Sequence, residues 1–381
     1  MNRFIPLSVP NLKGNEKKYV NEAIDMEWVS TGGAFINRFE NGVKDYVSSQ
    51  GAVACQSGTA GLHLAMLLCG VESGDAVLVP ALTFIAAVNP VRYVGAEPIF
   101  MDCDESLCMD PLKLKEYCET CCRFIDGKLM DSLGRHIKAV LIVHVFGNLA
   151  DLEMICEIAE RYNLKVIEDA TEALGTYYLS GRYAGKFAGT IGNVGVYSFN
   201  GNKIVTSGGG GMIVSQDTEL LKLAKHLSTQ AKADDVYYSH DMVGYNYRMT
   251  NLQAAVGLAQ LEQIEDFIER KKQNYYSYLE NEINLVPFRK GTRPNYWFYA
   301  CLSNNRDELI RGCTEQNIQV RPVWQLIHTT TPYLNSTNFK IERALYYYDR
   351  IVCLPCSSNL CVDDIARVVQ IVKEQERLSL Q

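Results

Sequence analysis

Lys203 is the residue of this sequence whose position most strongly suggests chemistry. It follows the apolar segment 194–198, which is typical of a buried strand, and the turn-forming segment 199–202 separates the two. Burial of an amine at such a position lowers its pKa and makes it nucleophilic. The glycines 208–211 come after the lysine and lead into a strand, whereas a P-loop places its glycines before the lysine and opens a helix. The pattern therefore indicates a reactive lysine and not a nucleotide-binding loop.

Three carboxylates, Glu168, Asp169 and Glu172, lie at and just beyond the end of another predicted strand, 164–168. Acidic residues in this number are a poor choice for packing. They could bind a metal ion, act as general acid and base, or hold a cationic heterocycle. A polar loop cap explains them equally well, so the residues alone leave these alternatives open.

Two further segments offer hydrogen-bond donors for a phosphate group. Ser57-Gly58-Thr59 precedes an apolar helix, and its small residues would let the backbone N–H groups at the helix start approach an anion. Asn246 and Arg248 lie at the head of a second helical segment. Ordinary helix capping is the alternative interpretation of both segments.

The elements that must position these residues alternate between strand and helix. Apolar strands are predicted at 51–55, 76–80, 98–102, 139–144, 164–168, 194–198 and 211–215, with helices at 60–69, 84–93, 110–121 and 151–162 between them. Such alternation predicts an α/β fold with a mostly parallel sheet covered on both faces. Ligands of such sheets bind beyond the carboxyl ends of the strands, where the residues described above are expected.

The character of the sequence changes after residue 250. A single long helix is predicted over 251–273, bridging out of a large domain, and short strands and helices follow, including a strand at 297–301 and helices at 306–316 and 362–376. We therefore predict a large domain over residues 1–255, including an N-terminal arm, and a smaller α+β domain over 256–381.

Composition limits the possible partners. The chain has 381 residues, 47% of them hydrophobic and 21% charged, with a formal net charge of −7. An acidic chain is a poor partner for nucleic acid or an anionic membrane. No segment approaches the length of a membrane span, and no export signal is recognisable at the start. A cytoplasmic location is expected.

Thirteen cysteines are scattered along the chain, and we expect reduced thiols buried as small hydrophobic residues. A zinc site joining Cys118, Cys121 and Cys122 to Cys353 and Cys356 is the alternative. The separation of the two groups and the lack of a neighbouring histidine argue against it, so no metal is predicted.

One cofactor would use all of these pieces. Pyridoxal 5'-phosphate (PLP) needs a phosphate cradle, an acid that keeps its ring nitrogen protonated, and a lysine for a Schiff base. The chain resembles the DegT/StrS-type sugar-nucleotide aminotransferases, a branch of the fold-type I PLP enzymes, over nearly its whole length. The motifs that carry the resemblance include Ser30-Thr31-Gly32-Gly33, Ser57-Gly58-Thr59-Ala60-Gly61, Glu168-Asp169-Ala170, Tyr197-Ser198-Phe199…Lys203 and Gly244-x-Asn246-Tyr247-Arg248.

The resemblance implies a fold-type I architecture with a mostly parallel, seven-stranded central sheet. It also assigns roles to individual residues. Lys203 would bind the cofactor covalently and move the proton, while Asp169 would pair with the pyridinium nitrogen. The remaining cofactor contacts implied are the phosphate ligands Gly58, Thr59 and Ser198, the stacking residue Phe84, and Asn246 from a neighbouring subunit, which implies a homodimer with shared sites. Glu172 stands where the family often has His or Gln near the cofactor 3-oxygen, which departs from the pattern.

The implied reaction is an aminotransfer with pyridoxamine 5'-phosphate as the intermediate form of the cofactor. L-glutamate would be the donor, and the acceptor would be C4 of a nucleotide-linked 4-keto-6-deoxy sugar in surface-glycan biosynthesis. The form of the lysine segment resembles the subgroup acting on UDP-linked 2-acetamido-2,6-dideoxy-4-keto-hexoses. The alternatives are a 3-keto sugar, a GDP- or dTDP-linked sugar, or a non-catalytic PLP-binding regulator. The residues expected to contact the substrate are Thr31, Arg38, Arg248 and Arg321.

Overall fold

The computed structural model describes residues 3–234 and 236–378. The α-helices in this part of the chain are α1 (Glu16–Asp25), α2 (Ala34–Val47), α3 (Gly58–Leu68), α4 (Ile85–Tyr93), α5 (Pro111–Thr120), α6 (Leu152–Tyr162), α7 (Thr218–Ser228), α8 (Asn251–Leu261), α9 (Ile264–Glu280), α10 (Arg306–Glu315), α11 (Arg343–Tyr348) and α12 (Val362–Leu378). Short 3-10 turns lie at Val145–Gly147, Ile327–Thr329 and Thr331–Tyr333.

The strands in the same residues range from two to eight residues in length. They are β1 (Gly51–Cys55), β2 (Ala76–Pro80), β3 (Glu97–Met101), β4 (Arg123–Ile125), β5 (Lys128–Met130), β6 (His136–Val143), β7 (Lys165–Asp169), β8 (Tyr177–Tyr178), β9 (Val194–Ser198), β10 (Gly211–Ser215), β11 (Lys232–Asp234), β12 (Ser239–His240), β13 (Thr292–Arg293), β14 (Tyr299–Leu302), β15 (Arg321–Pro322), β16 (Asn338–Phe339) and β17 (Ile351–Leu354).

A large, mostly parallel sheet forms the centre of the protein. Its strand order is β1-β10-β9-β7-β6-β2-β3-β16, and the hairpin of β4 and β5 joins it at the start of β6. Among the seven predicted strands only β10 runs opposite to the other six, since it pairs antiparallel with both β1 and β9. All seven predicted strands are present in this sheet. Their near-continuous apolar sequences fit burial on both faces, and all five residues of β2 are buried.

The predicted helix over 251–273 is wrong in one respect, because two helices, α8 and α9, meet there. The break falls at Glu262 and Gln263. The Glu262 carboxylate accepts hydrogen bonds from Tyr19 Oη and Asn15 Nδ2, both at 2.7 Å, and the Gln263 amide donates to Glu16 Oε1 at 3.0 Å. These contacts with the start of α1 fix the break. The local sequence has no glycine or proline there that would predict it.

The C-terminal part of the chain carries a second sheet, in which β17 lies between β14 and β15, with all pairs antiparallel. The strand predicted at 297–301 begins later, at Tyr299, which leaves Trp297 free to face the central sheet. Residues Asn338–Phe339 return to the large sheet and pair in parallel with β3. The division of the chain at residue 255 stays a prediction.

Candidate active site

A cavity of about 360 Å³ opens at the carboxyl ends of the central strands. Because β1, β2, β7 and β9 run in one direction, the segments that follow them meet at one edge of the sheet. The predicted site residues that line this cavity are Gly58, Thr59, Phe84, Asp169, Glu172, Ser198 and Lys203. The C-terminal part of the chain adds Trp297 and Trp324.

Lys203 lies in the turn that follows β9. Its side chain is 13% exposed, and Nζ lies 3.7 Å from Glu172 Oε1. Nζ also lies 4.1 Å from the centroid of the Trp297 ring. Burial lowers the pKa of Lys203, although the carboxylates of Glu172 and Asp169 oppose that effect. The amine therefore has the environment that a nucleophilic lysine requires.

The structure separates the functions of the three neighbouring acids. Glu168 and Asp169 are consecutive residues of β7, so their side chains point to opposite faces of the sheet. Glu168 is fully buried, and His144 Nε2 donates to it at 2.9 Å. Backbone N–H groups of Gly189, Ile191 and Gly192 also donate to Glu168. Among the three acids Glu168 therefore lies away from the cavity and is the loop anchor, since it holds the loop at residues 189–192 in place.

Asp169 faces the cavity and is 3% exposed. Its Oδ1 accepts a hydrogen bond from the N–H of Thr171 at 3.0 Å. Burial raises the pKa of Asp169, while its interactions with Thr171 and the charge of Lys203 counteract this. A buried carboxylate that faces a cavity is suited to hold a cationic nitrogen.

Glu172 lies across the cavity floor from Lys203. Its Oε2 accepts a hydrogen bond from the N–H of Phe146 at 2.8 Å, which leaves Oε1 facing the amine. Burial raises the pKa of Glu172 to about 7, although the charge of Lys203 lowers it. Glu172 therefore exchanges its proton near neutral pH, directly beside the reactive amine.

The segment before α3 forms a cradle for an anion. Ser57 caps the helix, since its hydroxyl accepts from the N–H of Ala60 at 3.0 Å, and the N–H groups of the next residues begin the helix. A Cβ atom at Gly58 would lie 3.0 Å from both Ser198 Cβ and Thr171 Cγ2. Only glycine leaves this space open, so the backbone and the Ser198 hydroxyl can approach one small ligand together.

Aromatic rings border the cavity mouth. Phe84 follows β2 and is 52% exposed, and its ring centroid lies 6.3 Å from that of Trp324. Trp324 in turn lies 4.9 Å from Phe146, measured between ring centroids. An exposed phenylalanine at a cavity is placed to stack on a planar ligand.

Five of the predicted site residues lie outside this cavity within one chain: Thr31, Arg38, Asn246, Arg248 and Arg321. Arg38 lies over the Phe35 ring at 4.6 Å and near Glu22 at 3.9 Å, and Arg321 is exposed at the edge of the small sheet. Asn246 is exposed. Arg248 donates to Gln230 at 3.3 Å, and its Nε is buried without a hydrogen-bond partner in the described part of the chain.

Sequence reasoning missed three residues of the site: Asn295, Trp297 and Trp324. Asn295 is fully buried, and its amide donates to the carbonyl oxygens of Glu172 and Leu174 at 2.9 and 3.0 Å. Trp297 stands in an aromatic run that is typical of a core strand. No spacing signal connects these residues to Lys203, because the contact exists only after the C-terminal part folds over the sheet.

Neither a metal site nor a membrane span is recognisable in the parts of the chain that the structure describes. Across residues 3–234 and 236–378, no group of three or more His, Cys, Asp and Glu side chains is placed to hold a metal ion. No helix in these residues is long and apolar enough to cross a bilayer.

Comparison with known proteins gives consistent matches along the chain. Residues 10–373 match the DegT/DnrJ/EryC1/StrS aminotransferase family. GDP-perosamine synthase of Escherichia coli O157:H7 is 40% identical over 87% of this chain and 87% of its own. GDP-perosamine synthase of Caulobacter vibrioides is 36% identical over 96% of each chain. A crystal structure of a DegT DnrJ EryC1 StrS aminotransferase from Brucella abortus is 26% identical, covers 95% of each chain and superposes with a TM-score of 0.87.

Proposed function

Because the chain belongs to the DegT/DnrJ/EryC1/StrS aminotransferase family, we propose that it transfers an amino group from L-glutamate to C4 of a GDP-linked 4-keto-6-deoxy sugar. The observation that carries this proposal is Lys203, a buried amine beside two carboxylates in a cavity that also contains an anion cradle. The protein is a PLP-dependent aminotransferase of sugars, and the fold is that of these enzymes.

The residues at the cavity fit the cofactor. Gly58, Thr59 and Ser198 surround a space that a Cβ atom at position 58 would fill, and the start of α3 favours a phosphate there. Asp169 provides the buried carboxylate for a protonated ring nitrogen, and Phe84 provides a face for the ring. When bound, PLP supplies an electron sink for the bond that breaks at the substrate carbon.

Lys203 moves the proton in both halves of the reaction. Its Nζ takes the proton from the α-carbon of L-glutamate and later returns a proton to C4 of the sugar. Asp169 would keep the ring nitrogen of the bound cofactor protonated, since a buried carboxylate favours the cationic form of its partner. Glu172 holds the charge of the free Lys203 amine from 3.7 Å. Burial of these groups excludes water, which would otherwise exchange the transferred proton.

The relatives favour a GDP-linked substrate over the UDP-linked one predicted from the sequence. Two matches of 40% and 36% identity are both GDP-perosamine synthases. The form of the lysine segment, on which the UDP prediction rested, is a shorter and weaker signal than similarity over most of the chain. The GDP-linked alternative is therefore our proposal.

A homodimer with shared active sites is the second part of the proposal. Asn246 and Arg248 lie outside the cavity of their own chain, and the segment before them carries exposed apolar side chains such as Tyr237 and Val243, at 84% and 82% exposure. Trp28 is a further exposed apolar side chain, at 58% exposure, and its carbonyl oxygen accepts a hydrogen bond from Asn251, the first residue of α8. Exposed apolar groups beside two predicted phosphate donors that do not reach the cavity of their own chain support contact with a second copy.

The test is a direct assay with three nucleotide-linked sugars as amino acceptors. The purified protein with PLP and L-glutamate is incubated with GDP-, UDP- and dTDP-linked 4-keto-6-deoxy sugars, and the product is identified by mass and NMR. We expect amination at C4 with the GDP-linked substrate at the highest kcat/KM. Multiple turnovers by Lys203→Ala would refute the mechanism, and a higher kcat/KM for the UDP-linked substrate would refute the choice of nucleotide.

A further inference from the structure

Trp297 lies against the reactive lysine although it comes from the C-terminal part of the chain. Lys203 Nζ is 4.1 Å from the centroid of the Trp297 ring, and Trp297 is 2% exposed. Its indole Nε1–H donates to the carbonyl oxygen of Asn202 at 2.7 Å. One side chain therefore contacts both the amine and the peptide unit that precedes it.

Asn295 fixes the position of this tryptophan. The Trp297 N–H donates to Asn295 Oδ1 at 3.0 Å, and the Asn295 amide donates to the carbonyl oxygen of Glu172 at 2.9 Å. The N–H of Asn295 donates to Thr176 Oγ1 at 3.0 Å. The indole is thus tied to the segment after β7, which carries the carboxylates, and to the turn after β9, which carries the lysine.

We propose that Trp297 is a positioning residue that holds Lys203 over its indole face in the protonated state. The proposal rests on the proposed function, in which Lys203 takes a proton from the donor and returns one to the sugar. In that step the C–H bond of the donor breaks, the proton joins the lone pair of Nζ, and the electron pair remains with the substrate and its cofactor. The resulting ammonium is buried, and it must stay in place until it returns the proton.

The physical reason is the attraction between a cation and an aromatic face. This attraction is strongest when the cation is removed from water, and the Lys203 side chain is 13% exposed. The charged groups facing Lys203 are Glu172 and Asp169, both from the segment at the end of β7. Trp297 adds a third attraction, from the C-terminal part of the chain. Its indole does not ionise, so this attraction does not itself change with pH.

The test replaces Trp297 with mono-, di- and trifluorotryptophan by site-specific incorporation. Fluorine weakens the negative face of the ring but keeps its shape and its N–H, so folding and the contact with Asn202 are preserved. The pKa of Lys203 is read in the cofactor-free protein, from the pH dependence of the rate at which added PLP is captured, followed by absorbance. The inflection of this curve that persists in Glu172→Gln is assigned to Lys203. No sugar substrate is needed for this measurement.

We expect the pKa of Lys203 to fall progressively along the fluorination series, by about one unit in total. The same series at Trp324, which lines the same cavity and packs on Phe84 and Phe146, is the matched control and should leave the pKa unchanged. A constant pKa along the Trp297 series, or an equal fall in the Trp324 series, would overturn the proposal.

A separate control distinguishes this inference from the proposed function. Lys203→Met must abolish PLP capture, because capture by that variant would show that another lysine binds the cofactor and would refute the proposed function. If Lys203 captures PLP but sugar amination fails, the substrate assignment is wrong while the shift in pKa still decides the role of Trp297.

Discussion

The different roles of Glu168 and Asp169, two adjacent acids of β7, can be tested by replacing each carboxylate with the amide of the same shape. We expect Glu168→Gln to destabilise the fold and Asp169→Asn to leave the fold intact while abolishing activity. Glu168 Oε2 accepts from His144 and Gly189, and Oε1 accepts from Ile191 and Gly192. A glutamine retains one of these oxygens and places an NH₂ group against two donors, so two bonds are lost.

The magnitude follows from this count. A hydrogen bond to a charged group contributes about 1.5–3 kcal/mol, so the loss of two lowers the free energy of unfolding by about 3–6 kcal/mol. His144 cannot relieve the loss by changing tautomer, because its Nδ1 accepts from the N–H of Ala150 at 3.3 Å. Asp169→Asn keeps the acceptor for the Thr171 N–H and removes a buried charge, so its free energy of unfolding should change by less than about 1 kcal/mol.

The assay is urea unfolding of the cofactor-free proteins at pH 8, followed by circular dichroism. Glu168→Gln should unfold at a clearly lower urea concentration than Asp169→Asn. Equal midpoints for Glu168→Gln and the unmutated protein would refute the assignment of Glu168 as the loop anchor.

The pH dependence of the unmutated protein gives a second readout of the same contacts. Burial alone would raise the pKa of Glu168, but the hydrogen bonds from His144 and the loop N–H groups outweigh it, so the folded pKa lies below 4.5. Its stabilisation is therefore present above pH 4.5 and is lost as the pH falls through the folded pKa. In Glu168→Gln the free energy of unfolding should lack the decrease at low pH that protonation of the Glu168 carboxylate causes.

Three further predictions concern the cavity. Gly58→Ala should weaken PLP binding at least about tenfold in a fluorescence titration, because the new Cβ atom fills the cradle. In the same titration Gly201→Ala should bind PLP normally, because a Cβ atom at position 201 has no heavy atom within 4 Å. The rate of PLP capture by the cofactor-free protein should change near pH 7, because Glu172 gains its proton below that pH and its ion pair with Lys203 is lost. Glu172→Gln should remove this inflection, and an inflection near pH 7 that persists in the variant would contradict the assignment to Glu172. Inactive Lys203→Ala and Asn246→Asp proteins, mixed under conditions that exchange subunits, should recover activity at about a quarter of the sites, because half of the dimers are mixed and each has one intact site. No recovery in protein shown to have exchanged would contradict shared sites.

Local sequence predicted much of the central sheet and the separate parts of the site. The seven strands follow from short apolar runs, and Lys203, Asp169 and Gly58 could be identified because each stands just after such a run. The family resemblance then assigned each of them a role, and the family is confirmed. Whether Phe84, Thr59, Ser198 and Asn246 contact the cofactor stays a prediction.

The sequence could not separate residues whose roles depend on direction or on distant contacts. Glu168 and Asp169 are adjacent acids, and only the pairing of β7 within the sheet decides that one faces the loop at Gly189 and the other faces the cavity. The break between α8 and α9 depends on α1, which lies far away in the chain.

The −7 charge argued against nucleic-acid and anionic-membrane partners, and the spacing of the thirteen cysteines argued against a zinc site, but neither identified the active site. The sequence by itself determined the types of the reactive groups, because hydrophobic periodicity and turn residues are local properties. Only the tertiary structure decided that Trp297 and Asn295 complete the surroundings of Lys203 and Glu172. The environment of a buried amine is the sum of neighbours contributed by separate segments, and the pKa and position of that amine exist only once those segments have packed together.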